Sequence, residues 1–244
     1  MTEIKVLDHG FVRLDGSLAD DLSVVNSARV SFAQRSELVV IETDDDEYGT
    51  YATKFDLSDK DKGLISYLMR NKHGTPFEHN VFRFHVKAPI FIFREWQRHR
   101  IGSFNEWSAR YSKLEPEFYT PRYENVRSQI GKPGAYEFEP VDSEVSSQFS
   151  LELYNKNHAM FQMYEWAIDK GVAKEQARLF LPVSIYSQMY WTVNARSLMN
   201  FLSLRNSEHA MFEIREYAKV VEQIFIEKMP VTAEAFVKNN RVAP

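Results

Sequence analysis

The chain has 244 residues, 26% of them charged, and a net charge of −4 at pH 7. That length admits one large domain or two small ones, and so weak a negative charge gives no field to collect nucleic acid; any anion must meet a local basic cluster. Cysteine is absent, which excludes disulfides, thiolate metal sites and a cysteine nucleophile together. The opening MTEIKVLDHGF lacks the basic start and apolar run of a secretory signal, and no later stretch approaches the roughly 20 apolar residues of a membrane span, so a cytoplasmic location is expected.

In chain order, the pattern predicts a short strand over 4–7, a turn at Gly10, a strand over 11–14 and a short helix over DDLSVVNSARVSF. Residues 35–57 read as two β-prone runs joined by an acidic turn with Gly49, a hairpin or surface excursion. The acids at 44–47 fit a solvated loop better than a metal site. Ser58 and Asp61 form a capping box that opens a helix with Leu64 and Leu68 on one face and Gly74 near its stop. In NVFRFHVKAPI, Phe82, Phe84, Val86 and Ala88 alternate with Arg83, His85 and Lys87, so a strand with one buried face is expected and His85 belongs to its polar side. Pro89 suits the first turn of a helix running through IFIFREWQRHR, which places Arg98 and Arg100 near its end.

Periodicity is lost from Gly102 to Ser112. Residues 113–140, rich in Pro, Gly, Tyr and Glu, read as a long irregular excursion with a turn at Gly131 to Gly134. A long helix is expected over 143–170, with Phe149, Leu153, Met160, Tyr164 and Ala167 as a core or interface stripe and Gly171 as its stop. VAKEQARLFLP is a short helix closed by Pro182, and VSIYSQMYWTVNARSLMNFLSLR passes from a β-prone run into a helix. A last helix is expected from Ser207, with Ile214, Ala218, Val221 and Phe225 inward. Without repeat or linker, residues 1–244 read as one α+β domain in which strands cluster early and helices late.

Three groups carry chemistry. RHRIGSFNEWSAR concentrates Arg98, Arg100 and Arg110, whose guanidinium forks match phosphate oxygens, although salt bridges to Glu95 and Glu106 on a plain surface patch would use the same residues. Ser103, Asn105 and Ser108 add donors and acceptors and tilt the group toward a polar ligand. KHGTPFEHN holds His73 and His79 at a spacing that matches no familiar zinc pattern; with Thr75 and Glu78 they suit a hydrogen-bonded organic ligand or a capped loop. In the third group Asn194, Ser197 and Arg205 fall on successive helical turns, where they either meet a carboxylate in a buried network or line a pocket.

RHRIGSFNEWSAR fills every fixed position of the RHR-x-x-S-x-N-x-x-S-x-R signature, and the chain here resembles the flavin-dependent thymidylate synthases. SARVSF, HGTPFEHNVFRFHVKAPIF, ARLFLPVSIY and WTVNARSLMNFLSLR are similar to family segments in the same order. The resemblance implies the thymidylate synthase-complementing protein fold, an antiparallel sheet with long helices packed on it. It implies synthesis of dTMP from dUMP with a one-carbon unit from methylenetetrahydrofolate and reducing equivalents passed from NADPH through FAD. It also implies a homotetramer with sites shared between subunits, and no metal. By the same resemblance, Thr75, Arg98, His99, Arg100, Glu106, Asn194, Arg196 and Asn200 bind FAD, and His73 and His209 lie near flavin and folate. Glu95, Arg98, Glu106, Ser108, Arg110, Arg178 and Arg205 bind dUMP, and Arg205 polarises the uracil ring as the catalytic residue.

Those roles fit the chemistry of the residues. Two phosphorylated ligands require a dense set of arginines. No G-x-G-x-x-G turn is present, so arginine side chains take the place of helix-terminal amides. With no thiolate to add to uracil, activation falls to electrostatic stabilisation by Arg205, and Ser108, lacking a neighbouring base in sequence, suits phosphate binding better than attack. The chain departs from the family at Glu95, where many relatives have Gln, and in the acidic excursion at 35–57.

Overall fold

The computed structural model describes residues 3–45, 51–133 and 135–244. The alternation read in NVFRFHVKAPI produces the centre of the sheet. Strands β1 (Ile4–Val6), β2 (Gly10–Leu18), β5 (Val81–Pro89), β6 (Ser103–Glu106) and β9 (Tyr186–Asn194) form one antiparallel sheet in the order β1-β2-β5-β9-β6. On β5, Phe82, Phe84, Val86 and Ala88 are all fully buried, with Phe84 paired to Leu14 on one side and Trp191 on the other. Two hairpins stand outside this sheet, β3 (Val39–Asp45) with β4 (Tyr51–Asp56), and β7 (Arg127–Lys132) with β8 (Ala135–Pro140).

The helices are α1 (Asp21–Arg29), α2 (Asp59–Arg70), α3 (Thr75–Glu78), α4 (Ile90–Trp96), α5 (Ser143–Asp169), α6 (Lys174–Ala177), α7 (Ala195–Arg205), α8 (Phe212–Lys228) and α9 (Pro230–Lys238). The expected cap of α2 is made: Ser58 Oγ accepts from the Asp61 backbone N–H at 3.3 Å and donates to Asp61 Oδ2 at 2.7 Å. Asp61 also accepts from Arg29 and Ser36, which ties the base of the β3–β4 hairpin to α1 and α2. The apolar face of the sheet is covered by α4, α7 and α8, whose Phe93, Leu198, Phe201, Ile214, Val221 and Phe225 are buried in the core, and α9 packs on α2 and α8. A second, smaller cluster lies under α5, where Phe161, Tyr164 and Ala167 pack on Leu114, Phe118 and Ile185.

Several expectations are corrected. Strands and helices interleave along the chain rather than dividing early from late. Helix α4 stops at Trp96, so Arg98 and Arg100 lie on the connection to β6, an edge strand where no periodicity was expected. The chain turns there because Gly102 passes against β9; a Cβ at that position would lie 2.9 Å from Trp191 Nε1 and 3.0 Å from the Thr192 carbonyl. Helix α2 ends at Arg70, with Lys72 in the left-handed region and the His73 N–H donating to the Leu68 carbonyl, so Gly74 is not its stop. Ser207 opens a turn, closed by the Ala210 N–H on the Ser207 carbonyl, and α8 begins at Phe212. Residues 127–140 form a hairpin rather than an irregular stretch, and α9 lies beyond the last helix expected. Of the α5 stripe, Tyr164 and Ala167 are core, joined there by Phe161, while Phe149 and Met160 are exposed and so belong to the interface alternative rather than the core. The acidic turn around Gly49 and Gly134 lie outside the described residues.

Candidate functional site

Packing of aromatic rings builds the first corner of the site. Trp96, at the end of α4, stacks on Phe201 of α7 at 4.8 Å and meets Trp191 of β9 edge-on at 5.3 Å. That contact sets Glu95 and His99, on either side of Trp96, against Arg205, one turn beyond Phe201. Arg205 donates from Nη1 to Glu95 Oε2 at 2.7 Å, from Nη2 to the Glu95 carbonyl at 3.1 Å and from Nε to His99 Nε2 at 3.0 Å. Burial, and then the adjacent guanidinium, push the His99 pKa down to about 4, with Glu95 opposing. The ring is therefore neutral at pH 7, and because Nε2 accepts, its proton sits on Nδ1.

A second corner lies where β6 leads toward α6. Arg110 reaches Glu175 Oε2 from Nε at 3.2 Å and from Nη2 at 3.1 Å, and Arg178 Nε donates to the Glu175 carbonyl at 3.2 Å. Ser108 Oγ accepts from the Arg110 N–H at 3.2 Å. A cavity of about 410 Å³ opens here, lined by Arg94, Glu106, Ser108, Arg178 and Ser187 among others. Burial raises the pKa of Glu106, opposed by the Gln97 amide, which donates to it at 3.5 Å. This mouth has two guanidinium groups on one residue, Arg110 on the Glu175 carboxylate and Arg178 on its main-chain carbonyl, plus a hydroxyl, a donor set suited to a phosphate monoester.

A third region holds the remaining expected residues. Arg196 donates to Glu78 Oε1 at 2.6 Å and to the Pro244 carbonyl at 2.7 Å. Gly74 packs closely beside it, a Cβ there falling 2.6 Å from Arg196 Nε. His73 and Thr75 line a cavity of about 830 Å³ together with Ser31, Phe32 and Tyr67. Asn194 caps α7, its Oδ1 accepting from the Ser197 N–H at 2.8 Å. Asn200 and His209 are exposed. Arg98 and Arg100 are exposed as well and have no carboxylate partner among the described residues, so they stand ready for an external anion. The cavity at His73 and Thr75 is of a size to take part of a flavin dinucleotide, and Arg98 and Arg100, on the connection to β6, are open to a phosphate.

The structure thus gathers Glu95, His99 and Arg205 in one place and Ser108, Arg110 and Arg178 in another. Among the described residues, no hydrogen bond or ion pair joins the two groups. Sequence reasoning missed Glu175, whose only signal is its position three residues before Arg178 on a helical turn, and Arg94; Ser31 and Phe32 lie in the resembling segment SARVSF but carry no assigned role. Among the described residues no cluster of three or more potential metal ligands occurs, and no helix is long and apolar enough to cross a membrane.

Comparison with known proteins identifies the family. Residues 14–231 match the family model described as "Thymidylate synthase complementing protein". The flavin-dependent thymidylate synthase of Thermosipho melanesiensis is 46% identical over 238 residues, 98% of this chain and 95% of its own. That of Thermotoga neapolitana is 45% identical, with 97% and 94% covered. Among solved structures, the UMP/dUMP methylase PolB from Streptomyces cacaoi bound with 5-Br dUMP superposes with a TM-score of 0.82 at 40% identity, over 99% of this chain and 100% of that one. The same protein bound with 5-Br UMP gives a TM-score of 0.82 at 39% identity.

Proposed function

Since the chain belongs to the thymidylate synthase complementing protein family, we propose that it converts dUMP to dTMP by reductive methylation. In this reading methylenetetrahydrofolate gives the one-carbon unit, NADPH the reducing equivalents and FAD is the cofactor. The observation that carries it is the presence of two differently built arginine seats. Arg110, Arg178 and Ser108 form a cationic mouth for the phosphate. Arg205, neutralised by Glu95 and steadied by His99, suits an uncharged base.

Bound flavin supplies the hydride that completes the methyl group. The protein's own contribution is to hold and polarise. Thr75, Arg98, His99, Arg100, Glu106, Asn194, Arg196 and Asn200 form the flavin-facing set, and His73 and His209 lie near the flavin and folate. Arg205 stabilises negative charge developing on the uracil ring, the task that a thiolate adduct performs where a cysteine exists. Neutral His99 accepts from Arg205 Nε and so fixes the guanidinium plane, leaving two of its five N–H groups unused.

A homotetramer whose sites are shared between subunits belongs to this reading. The solvent face of α5, where Phe149, Leu151, Tyr154, Met163 and Trp166 are exposed, is suited to such contacts. A cytoplasmic location belongs to the same reading.

The test is to incubate the purified protein with FAD, record its visible spectrum, and assay dTMP with dUMP, methylenetetrahydrofolate and NADPH, omitting each in turn. Bound flavin and dTMP formation that needs all three are expected. A protein that takes up no flavin would overturn the proposal, and bound flavin without dTMP would favour a nucleotide-binding protein lacking turnover.

A further inference from the structure

Glu95 is the feature of the site that dUMP chemistry does not at first explain, because a carboxylate beside a bound phosphate is repelled. Its charge is met instead by Arg205. Its Oε2 is taken by Arg205 at 2.7 Å, it has no hydrogen bond or ion pair to Arg110 or Arg178, and Oε1 has no partner among the described residues. The Glu95 side chain is 42% exposed and that of Arg205 19%, so the pair opens outward. Arg205 spends three N–H groups on Glu95 and His99 and keeps two. A free acceptor therefore stands next to free donors, on a pair whose charges cancel.

That pattern has one natural complement among pyrimidines. The edge of uracil runs carbonyl, N–H, carbonyl, so Arg205 can donate to a carbonyl while Glu95 accepts from N3–H. Cytosine presents an amine, a bare ring nitrogen and a carbonyl. Its N3 lone pair would face the carboxylate, and its amine would face the guanidinium. We propose that Glu95 is a specificity-determining residue: with Arg205 it forms an acceptor–donor pair that reads the imide edge of the pyrimidine and rejects the cytosine pattern. His99 is a positioning residue for this pair, acting through Arg205. A carboxylate does this more strictly than an amide, because a glutamine can turn its NH₂ toward a bare nitrogen and a carboxylate has no donor to offer.

The inference rests on the proposed dUMP site, and the test separates the two. Dissociation constants of dUMP, N3-methyl-dUMP and dCMP are measured on the flavin-loaded protein, wild type and Glu95→Gln, with thermal unfolding as the check on folding. Wild type should bind dUMP and lose at least about tenfold for N3-methyl-dUMP, the effect of one missing charge-assisted hydrogen bond. In Glu95→Gln the dUMP-to-dCMP preference should narrow by about tenfold, and the penalty for N3-methylation should shrink. An unchanged dUMP-to-dCMP ratio in the variant overturns the inference, as does equal binding of dUMP and its N3-methyl form to wild type, an arm that needs no mutant. A wild type that binds none of the nucleotides removes the underlying site assignment instead.

Discussion

Arg205 and Arg178 are the same residue type under opposite regimes, and the contrast explains what each can do. Arg205 sits in a corner fixed by Trp96, Phe201 and Trp191, with three of its N–H groups committed and its charge matched by Glu95. Arg178 lies exposed on a single helical turn, held among the described residues only by the Glu175 carbonyl, beside an Arg110 that is itself exposed. A guanidinium fixed before the substrate arrives needs no reorganisation when charge develops, the condition for electrostatic catalysis. One that is loosely tethered retains its hydration and its full charge, which suits capture of a dianion.

The predictions sharpen that contrast, from the largest effect to the smallest. Arg205→Lys keeps the charge but cannot make the three-way clamp, so kcat should fall about 10²-fold while KM for dUMP changes little; steady-state kinetics would break the contrast if the effect fell on KM alone. Arg178→Ala should do the reverse, raising KM by about 10- to 100-fold, the scale of one hydrogen bond to a charged group, with kcat nearly intact.

His99 gives a pH signature to the clamped corner. Its folded pKa of about 4 lies below the ordinary 6.5, so between those values the unfolded chain binds a proton that the folded chain does not. The associated stability is complete above pH 6.5 and is lost as pH falls toward 4. Denaturant unfolding of wild type and His99→Gln from pH 7.5 to 4.5 should show wild type losing more stability, by on the order of 2 kcal/mol; parallel losses would contradict the assigned protonation state. Glu175→Gln, at an exposed ion pair, should alter dUMP affinity by less than about fivefold, and the change should fade in high salt. A large, salt-insensitive effect would mean that the mouth is as rigid as the corner.

Much of the frame could be read from residue patterns because the physics there is local. The strand over β5 follows from strict alternation with every apolar position buried, and the cap of α2 from Ser58 and Asp61 ahead of a helical run. Strand β6 escaped because only Phe104 of its four residues turns inward, so no period exists to detect. The eight-residue strip from 207 to 214 misled because a Ser before acidic and apolar residues looks like a cap, whereas the chain makes a turn before α8 begins.

The site divides the same way. Its arginines were visible as a cluster, but the partner of each was not. Glu95 and Arg205 are 110 residues apart, and what unites them is the stacking of Trp96 on Phe201, a tertiary contact with no trace in the spacing of either segment. A plausible local reading, in which Glu95 would bridge to its neighbours Arg98 and Arg100, gave way to that long-range contact.

The claim that a clamped guanidinium replaces a sulfur nucleophile is tested most directly by release of tritium from 5-tritiated dUMP in a single turnover, with Arg205→Ala and Ser108→Ala assayed side by side on flavin-loaded protein. The account predicts that Arg205→Ala loses release while still holding flavin, and that Ser108→Ala releases tritium measurably once dUMP is saturating. Full release by Arg205→Ala, or its abolition in Ser108→Ala with dUMP still bound, would contradict it.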